Sequence, residues 1–177
     1  LVLIILQVAL AGHAFGATLL VMPDRHHVED ASLPGISINH PVSVVAEHNN
    51  VPSPVRMCTM ESGVYLTKMD ELTDAAVASA EDVLRRKNIH VKADSKKVLR
   101  ISISEAHCVM ERPSFWNAVF QYTVTLTVSF DDDVIKEFAG SHGTGSATAA
   151  NIAISDAINF AVLKMFKDQE IIAYLSR

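Results

Sequence analysis

Strict alternation at positions 120–130 is the sharpest pattern in the chain. Phe120, Tyr122, Val124, Leu126, Val128 and Phe130 fall on one side, and Gln121, Thr123, Thr125, Thr127 and Ser129 on the other. A two-residue period puts an apolar row on one face of a strand and a polar row on the opposite face. A shorter version places Leu99, Ile101 and Ile103 against Arg100, Ser102 and Ser104. Asp131, Asp132 and Asp133 then supply a turn, and residues 134–139 return as the second arm of a hairpin. Such strands predict an antiparallel sheet with one covered and one polar face.

Elsewhere the period changes to three and four. Met69, Leu72, Ala76, Ala80, Val83 and Leu84 form one stripe, with acidic residues on the other faces. Thr67 and Asp70 read as a capping box at its start. Arg85, Arg86 and Lys87 suit its C-terminal dipole, and Asn88 its end. Residues 140–145, rich in glycine, read as a turn into a second helix over about 147–167, with Ser146 as N-cap. Ile154, Ala157 or Ile158, Ala161 and Met165 form its buried stripe. Asp168 caps a short last helix. Upstream, residues 63–66 read as a strand end, while residues 36–38 and 42–45 look like short strands between proline and asparagine breakers.

These elements predict an α+β fold: a two-layer sandwich of mostly antiparallel sheet, two main helices on one face and a short C-terminal helix. The expected division is residues 1–22 as signal peptide or membrane anchor, 23–62 as linker and early edge strands, and 63–177 as the α+β domain.

Residues 1–10 are apolar except for Gln7, and small residues follow in AGHAFGA. This is the order of a secretory leader with its cleavage zone, after Ala14 or after Gly16. The rival reading is a retained anchor through residues 1–22, giving membrane association by that segment. Gly12, His13 and Gly16 interrupt it and favour the leader.

Composition adds little to exclude this. A net charge of −5 and scattered Lys and Arg give no pull toward phosphate backbones, so nucleic-acid binding is not expected. Two readings of Cys58 and Cys108 stand side by side. In an oxidising compartment they form a disulfide; otherwise they are two separate buried thiols.

No arrangement in the chain builds a catalytic, cofactor or metal site. Eight histidines include His26 and His27 beside Glu29 and Asp30, yet no two sit at the spacing of a helical metal motif. The loop at Gly140, Gly143 and Gly145 lacks the lysine of a nucleotide-binding loop. The three aspartates lack the spacing of a calcium loop. His107 and Cys108 are neighbours on a strand and face apart, a poor nucleophile–base pair. Phe115 and Trp116, near Pro113, are either a contact surface for a partner or lipid, or a cap on the core edge.

In its order of elements from Thr67 onward the chain resembles the YajG-type family of outer-membrane lipoproteins. The resemblance rests on Val8 to Gly12 as a lipobox approach, on the threonine-rich strand leading through a second strand and a glycine turn into a helix, and on the closing segment from Ser155 to Leu175. His13 stands where that family carries its lipid-bearing cysteine, and the first cysteine is Cys58. The resemblance implies a periplasmic or outer-membrane-associated domain without enzymatic activity and carries no functional residues over.

The expected function is therefore a non-catalytic exported cell-envelope protein, an interaction or assembly module that uses a sheet edge or the polar sheet face on an envelope protein partner. One alternative is a carrier of a small apolar ligand or lipid, resting on the many alanines of both helices. The other is a metal-dependent hydrolase using the scattered histidines.

Overall fold

The computed structural model describes residues 17–24, 36–60, 63–114, 117–131, 134–146 and 149–177. Its core is a four-stranded sheet in the order β2–β5–β6–β7, comprising Val42–Ala46, Lys97–Ser114, Asn117–Phe130 and Val134–Thr144. β5, β6 and β7 are antiparallel, while β2 runs parallel to β5. A second sheet holds β1 (Ala17–Leu20), β4 (Gly63–Thr67) and β3 (Val55–Met60) in the order β1–β4–β3. Three helices complete the fold: α1 (Met69–Arg86), α2 (Ala150–Met165) and α3 (Gln169–Ser176). The architecture is α+β with helices packed against the sheets, as the alternation and helical stripes predict, and it divides its strands between two sheets.

The apolar row of β6 is the floor of the core. Tyr122, Val124, Leu126 and Val128 are fully buried, beside Leu99, Ile101 and Ile103 of β5. Above them lie Leu72, Ala76, Ala80 and Val83 of α1 and Ile154, Ala157, Ile158 and Ala161 of α2. Alanine at the contact positions lets both helices lie close to the sheet and to each other. Removing these side chains from water is the main force holding the layers together.

Three boundaries differ from the sequence reading. Thr67 does not cap α1: it is a β4 residue whose Oγ1 donates to the Val21 carbonyl at 2.9 Å, and the N-cap is Lys68 without a side-chain cap. Residues 140–144 are not a turn, because β7 continues through Thr144 in register with Phe120. The glycines serve packing instead. A Cβ on Gly140 would overlap the Ala157 carbonyl oxygen and come within 2.6 Å of Ala161 N, and one on Gly143 would lie 2.7 Å from Gln121 Oε1. Consequently α2 begins at Ala150 with Ala149, not Ser146, at its N-cap.

The end of α1 follows the sequence closely. Asn88 has φ 59°, its N–H donates to Arg85 O and that of Ile89 to Leu84 O, both at 2.9 Å. This is a Schellman cap, and Leu84 and Ile89 are both buried beside it. Asp168 caps α3 as expected, accepting from Glu170 N at 3.0 Å and Ile171 N at 3.1 Å.

Upstream, residues 42–46 form β2, whereas Ile36 and Ile38 join the core with their side chains but lie in no strand. Residues 17–20, grouped with the leader in the sequence reading, form β1 parallel to β4, and Val21 is buried. A strand paired in this way belongs to the folded domain, so an anchor helix reaching Met22 does not fit the structure. Among the described residues no helix is long and apolar enough to cross a membrane.

Candidate functional site

Three features beyond the core carry chemistry: a disulfide between the sheets, an uncovered sheet face with a long edge, and a groove between the helices.

Cys58 of β3 and Cys108 of β5 are bonded, with Cα atoms 5.3 Å apart, and they join the three-stranded sheet to the four-stranded one. Cys58 sits opposite Tyr65 across β3–β4, and Cys108 opposite Tyr122 across β5–β6. Both tyrosines are buried, and burial pushes the Tyr122 phenol up to about 12. With its sulfur committed, Cys108 cannot act as a nucleophile. The adjacent His107 lies 3.4 Å from Glu105 Oε1.

Cys108 reaches this inward position because of a bulge. The pairing of β5 with β6 shifts between Ile103 and Glu105, so Ser104 is the extra residue. Before it the odd positions Leu99, Ile101 and Ile103 are buried; after it the even positions Ala106 and Cys108 are. One inserted residue exchanges the two faces of a strand.

The face of the four-stranded sheet away from the helices is rich in hydroxyls. Thr123 Oγ1 and Ser141 Oγ are 3.0 Å apart, Gln121 Nε2 donates to Ser141, and Ser104 Oγ donates to Thr125 O at 3.3 Å. At one edge, β7 pairs with β6 over eleven residues without a bulge, and among the described residues no strand lies on its other side. Val134 and Ile135 open this strand, and Ile135 is 64% exposed. Lys136 turns away from the edge to bind Asp168 and Glu170, each at 2.9 Å. At the opposite edge β2 is short and makes an additional bridge to Val91.

A groove of about 580 Å³ lies between α1 and α2, closed at one end by residues 22–24. Ala75, Ala78 and Ile158 supply apolar lining, and Ser79 Oγ donates to Asn159 Oδ1 at 2.7 Å within it. Met22 N donates to Asn151 Oδ1 at 3.1 Å, fixing the closing segment to the start of α2. The alanines that raised the expectation of ligand room divide in two: Ala76, Ala80, Ala157 and Ala161 are consumed in packing, while Ala75 and Ala78 border this groove.

The described histidines do not converge. His48 Nε2 is 2.9 Å from Asp74 Oδ1, a contact that raises its pKa, and His142 lies 3.6 Å from Asp156 and 6.0 Å from the Phe160 ring. Among the described residues no three metal-ligating side chains cluster. His26, His27, Glu29 and Asp30 lie outside the described residues, as do Phe115 and Trp116. The flanking Ser114 of β5 and Asn117 of β6 pair directly.

No protein-family profile matches the sequence, and no curated protein does. The fold is similar to that of protein XCC0632 from Xanthomonas campestris, of family DUF330. The TM-score is 0.50 at 10% identity, with 89% of this chain and 96% of that one covered. A minor lipoprotein from Acinetobacter baumannii gives a TM-score of 0.45 at 10% identity, covering 75% of this chain and 90% of that one. At such identity the XCC0632 likeness speaks to fold alone, and neither comparison gives this chain a family.

Proposed function

We propose that the chain is an exported, non-catalytic domain of the cell envelope, periplasmic or outer-membrane associated, that serves as an interaction or assembly module through β7. The observation that carries this reading is that strand's long edge, on which no further strand lies among the described residues, with Ile135 exposed along it. Edge strands are commonly blunted by brevity, bulges, proline or outward lysine, since their unpaired N–H and C=O groups recruit other strands. β7 is long, unbulged and proline-free, and its lysine is held by Asp168 and Glu170. An extended segment of an envelope partner would add as a further strand, drawing affinity from main-chain hydrogen bonds.

Export is supported by the apolar leader and its small residues, which precede β1. The Cys58–Cys108 pair suits an oxidising compartment. The YajG-type resemblance of the sequence points the same way, with His13 in place of a lipid-bearing cysteine. The non-catalytic half is supported by the commitment of Cys108 to its disulfide and by the dispersal of the described histidines.

The test is photo-crosslinking in the native envelope from a reactive side chain at position 135. A discrete protein adduct is the expected result, and the partner it identifies should no longer co-purify with the Ile135→Lys chain while the circular dichroism is unchanged. Recovery of no envelope protein from position 135 would sink the proposal.

A further inference from the structure

The outer edge of β7 is not uniformly open. Within a strand the N–H and C=O of one residue point to the same side, and successive residues alternate. Thr125 of β6 receives a hydrogen bond on its carbonyl from Ser104 of β5, so that carbonyl faces β5. Ala139, paired with Thr125, therefore turns its own carbonyl away from β6 and toward the edge. There it accepts the Lys164 ammonium of α2 at 2.6 Å. Ala139 is the middle residue of β7, so a cation lies over the centre of the edge. We propose that Lys164 selects the strand that adds to β7: an extended segment with a carboxylate facing α2 and an apolar side chain two residues away. This rests on the β7 reading and names the chemistry of its partner.

Lys164 differs from the other lysine at this edge. Lys136 is held by Asp168 and Glu170, whereas Lys164 is exposed and, among the described residues, pairs with no carboxylate. An ammonium has three donors, and Ala139 takes one of them. A carboxylate on an added strand would take the others. A basic side chain at the same place would set like charge against like.

The apolar position follows from spacing. Phe160 stands one turn before Lys164 on α2, 45% exposed, with its ring stacked on His142 at 6.0 Å. Four helical residues rise about 6 Å, close to the ~6.6–6.8 Å between alternate residues of a strand. A strand that sets one side chain over Lys164 therefore sets the next on that face over Phe160. One turn further back, Asp156 lies 3.6 Å from His142 and would repel an acid placed there. On the other face of β7, Glu137 is exposed and would do the same. The cation is thus the one of these exposed charges that an acidic segment fits, and it fixes the register as well as the partner's sign.

The test titrates the purified chain with three blocked heptapeptides, read by NMR shift mapping. Each carries threonine at the odd positions and isoleucine at the second and sixth, with glutamate, glutamine or lysine at the centre. Their symmetric order fits either strand direction. Saturable amide shifts at Glu137, Ala139 and Ser141 are expected with the glutamate peptide. It should bind roughly tenfold more tightly than the lysine peptide, an attraction having replaced a repulsion. Lys164→Glu should reverse that order and Lys164→Gln should level it. Both put a good helix former at an exposed position, so melting should be unchanged. No shifts along β7, equal affinity for the glutamate and lysine peptides, or a glutamate preference surviving in Lys164→Glu would each overturn the assignment. So would binding of all three that rises alike in Lys164→Gln, which would make Lys164 a plain shield of the edge. Equal binding at β7 leaves the edge reading standing. That reading fails by itself if position 135 captures no envelope protein while the peptide preference holds.

Discussion

Gly140 of β7 lies directly beneath the backbone of Ala157 in α2. A Cβ at Gly140 would overlap the Ala157 carbonyl oxygen, and Ala161 N would be 2.6 Å away. The glycine sets the distance between helix and sheet, because what it faces is main chain that cannot rotate aside. Gly140→Ala should therefore destabilise by more than ordinary overpacking, that is by at least ~1–3 kcal/mol. Gly145→Ala, with open space around it, should stay within about 0.5 kcal/mol. Urea unfolding of the two variants checks the contrast, and a neutral Gly140→Ala would refute the close contact.

The Cys58–Cys108 bond closes a segment of 50 residues between strands of different sheets. Restricting an unfolded loop of that length is worth about 4 kcal/mol on the chain-entropy view, within a usual range of ~2–4. Cys58→Ser with Cys108→Ser should lower stability by that amount. Intact mass before and after reduction should differ by two hydrogens in the parent chain and not in the variant. No mass change in the parent would mean that the cysteines do not pair.

Asp168 sits where three donors meet. Burial alone would raise its pKa, but the Lys136 ammonium and the N–H groups of Ile171 and Glu170 hold it below the usual aspartate value. A carboxyl with a depressed folded-state pKa contributes stability above its unfolded value, near 4, that is lost as pH falls through the lower folded value. Asp168→Ala should remove the α3 cap at a cost of ~0.5–2 kcal/mol at neutral pH. Asp168→Asn should flatten the acid limb of the stability curve below about pH 4. An acid limb identical to that of the parent would contradict this.

His48 shows the opposite sign. Its hydrogen bond to Asp74 raises its pKa above the ordinary 6.5. The stabilisation is thus fully present below that ordinary value and fades as pH rises through the raised one. NMR titration of the imidazole should give a midpoint above 6.5 that returns toward it in Asp74→Asn. A midpoint indifferent to Asp74 would show that the pair does not form in solution.

Much of the framework was readable because local chemistry and tertiary structure agree. The alternation of β6 survives intact, α1 buries the predicted stripe, and Asn88 and Asp168 terminate and cap as their side chains favour. Reading failed where one signal had two meanings. Glycines at 140 and 143 read as a turn, yet they lie within a strand because a helix backbone and Gln121 need the space. Ser104 left no mark of a bulge, so the second half of β5, with Cys108 on its inner face, was not legible. The strands of the smaller sheet are four to six residues long, too short for a period to emerge.

By itself the sequence determined the class of fold and the positions of the helices and the strongest strands, because each depends on neighbours within a few residues. The tertiary structure alone decided which strands share a sheet, that Cys58 meets Cys108, that among the described residues β7 ends its sheet, and that Asp24, Glu71 and Asn159 border one groove. Those relationships join residues from about 50 to well over 100 positions apart. Burial of the common core sets them, through packing distances that no local pattern encodes.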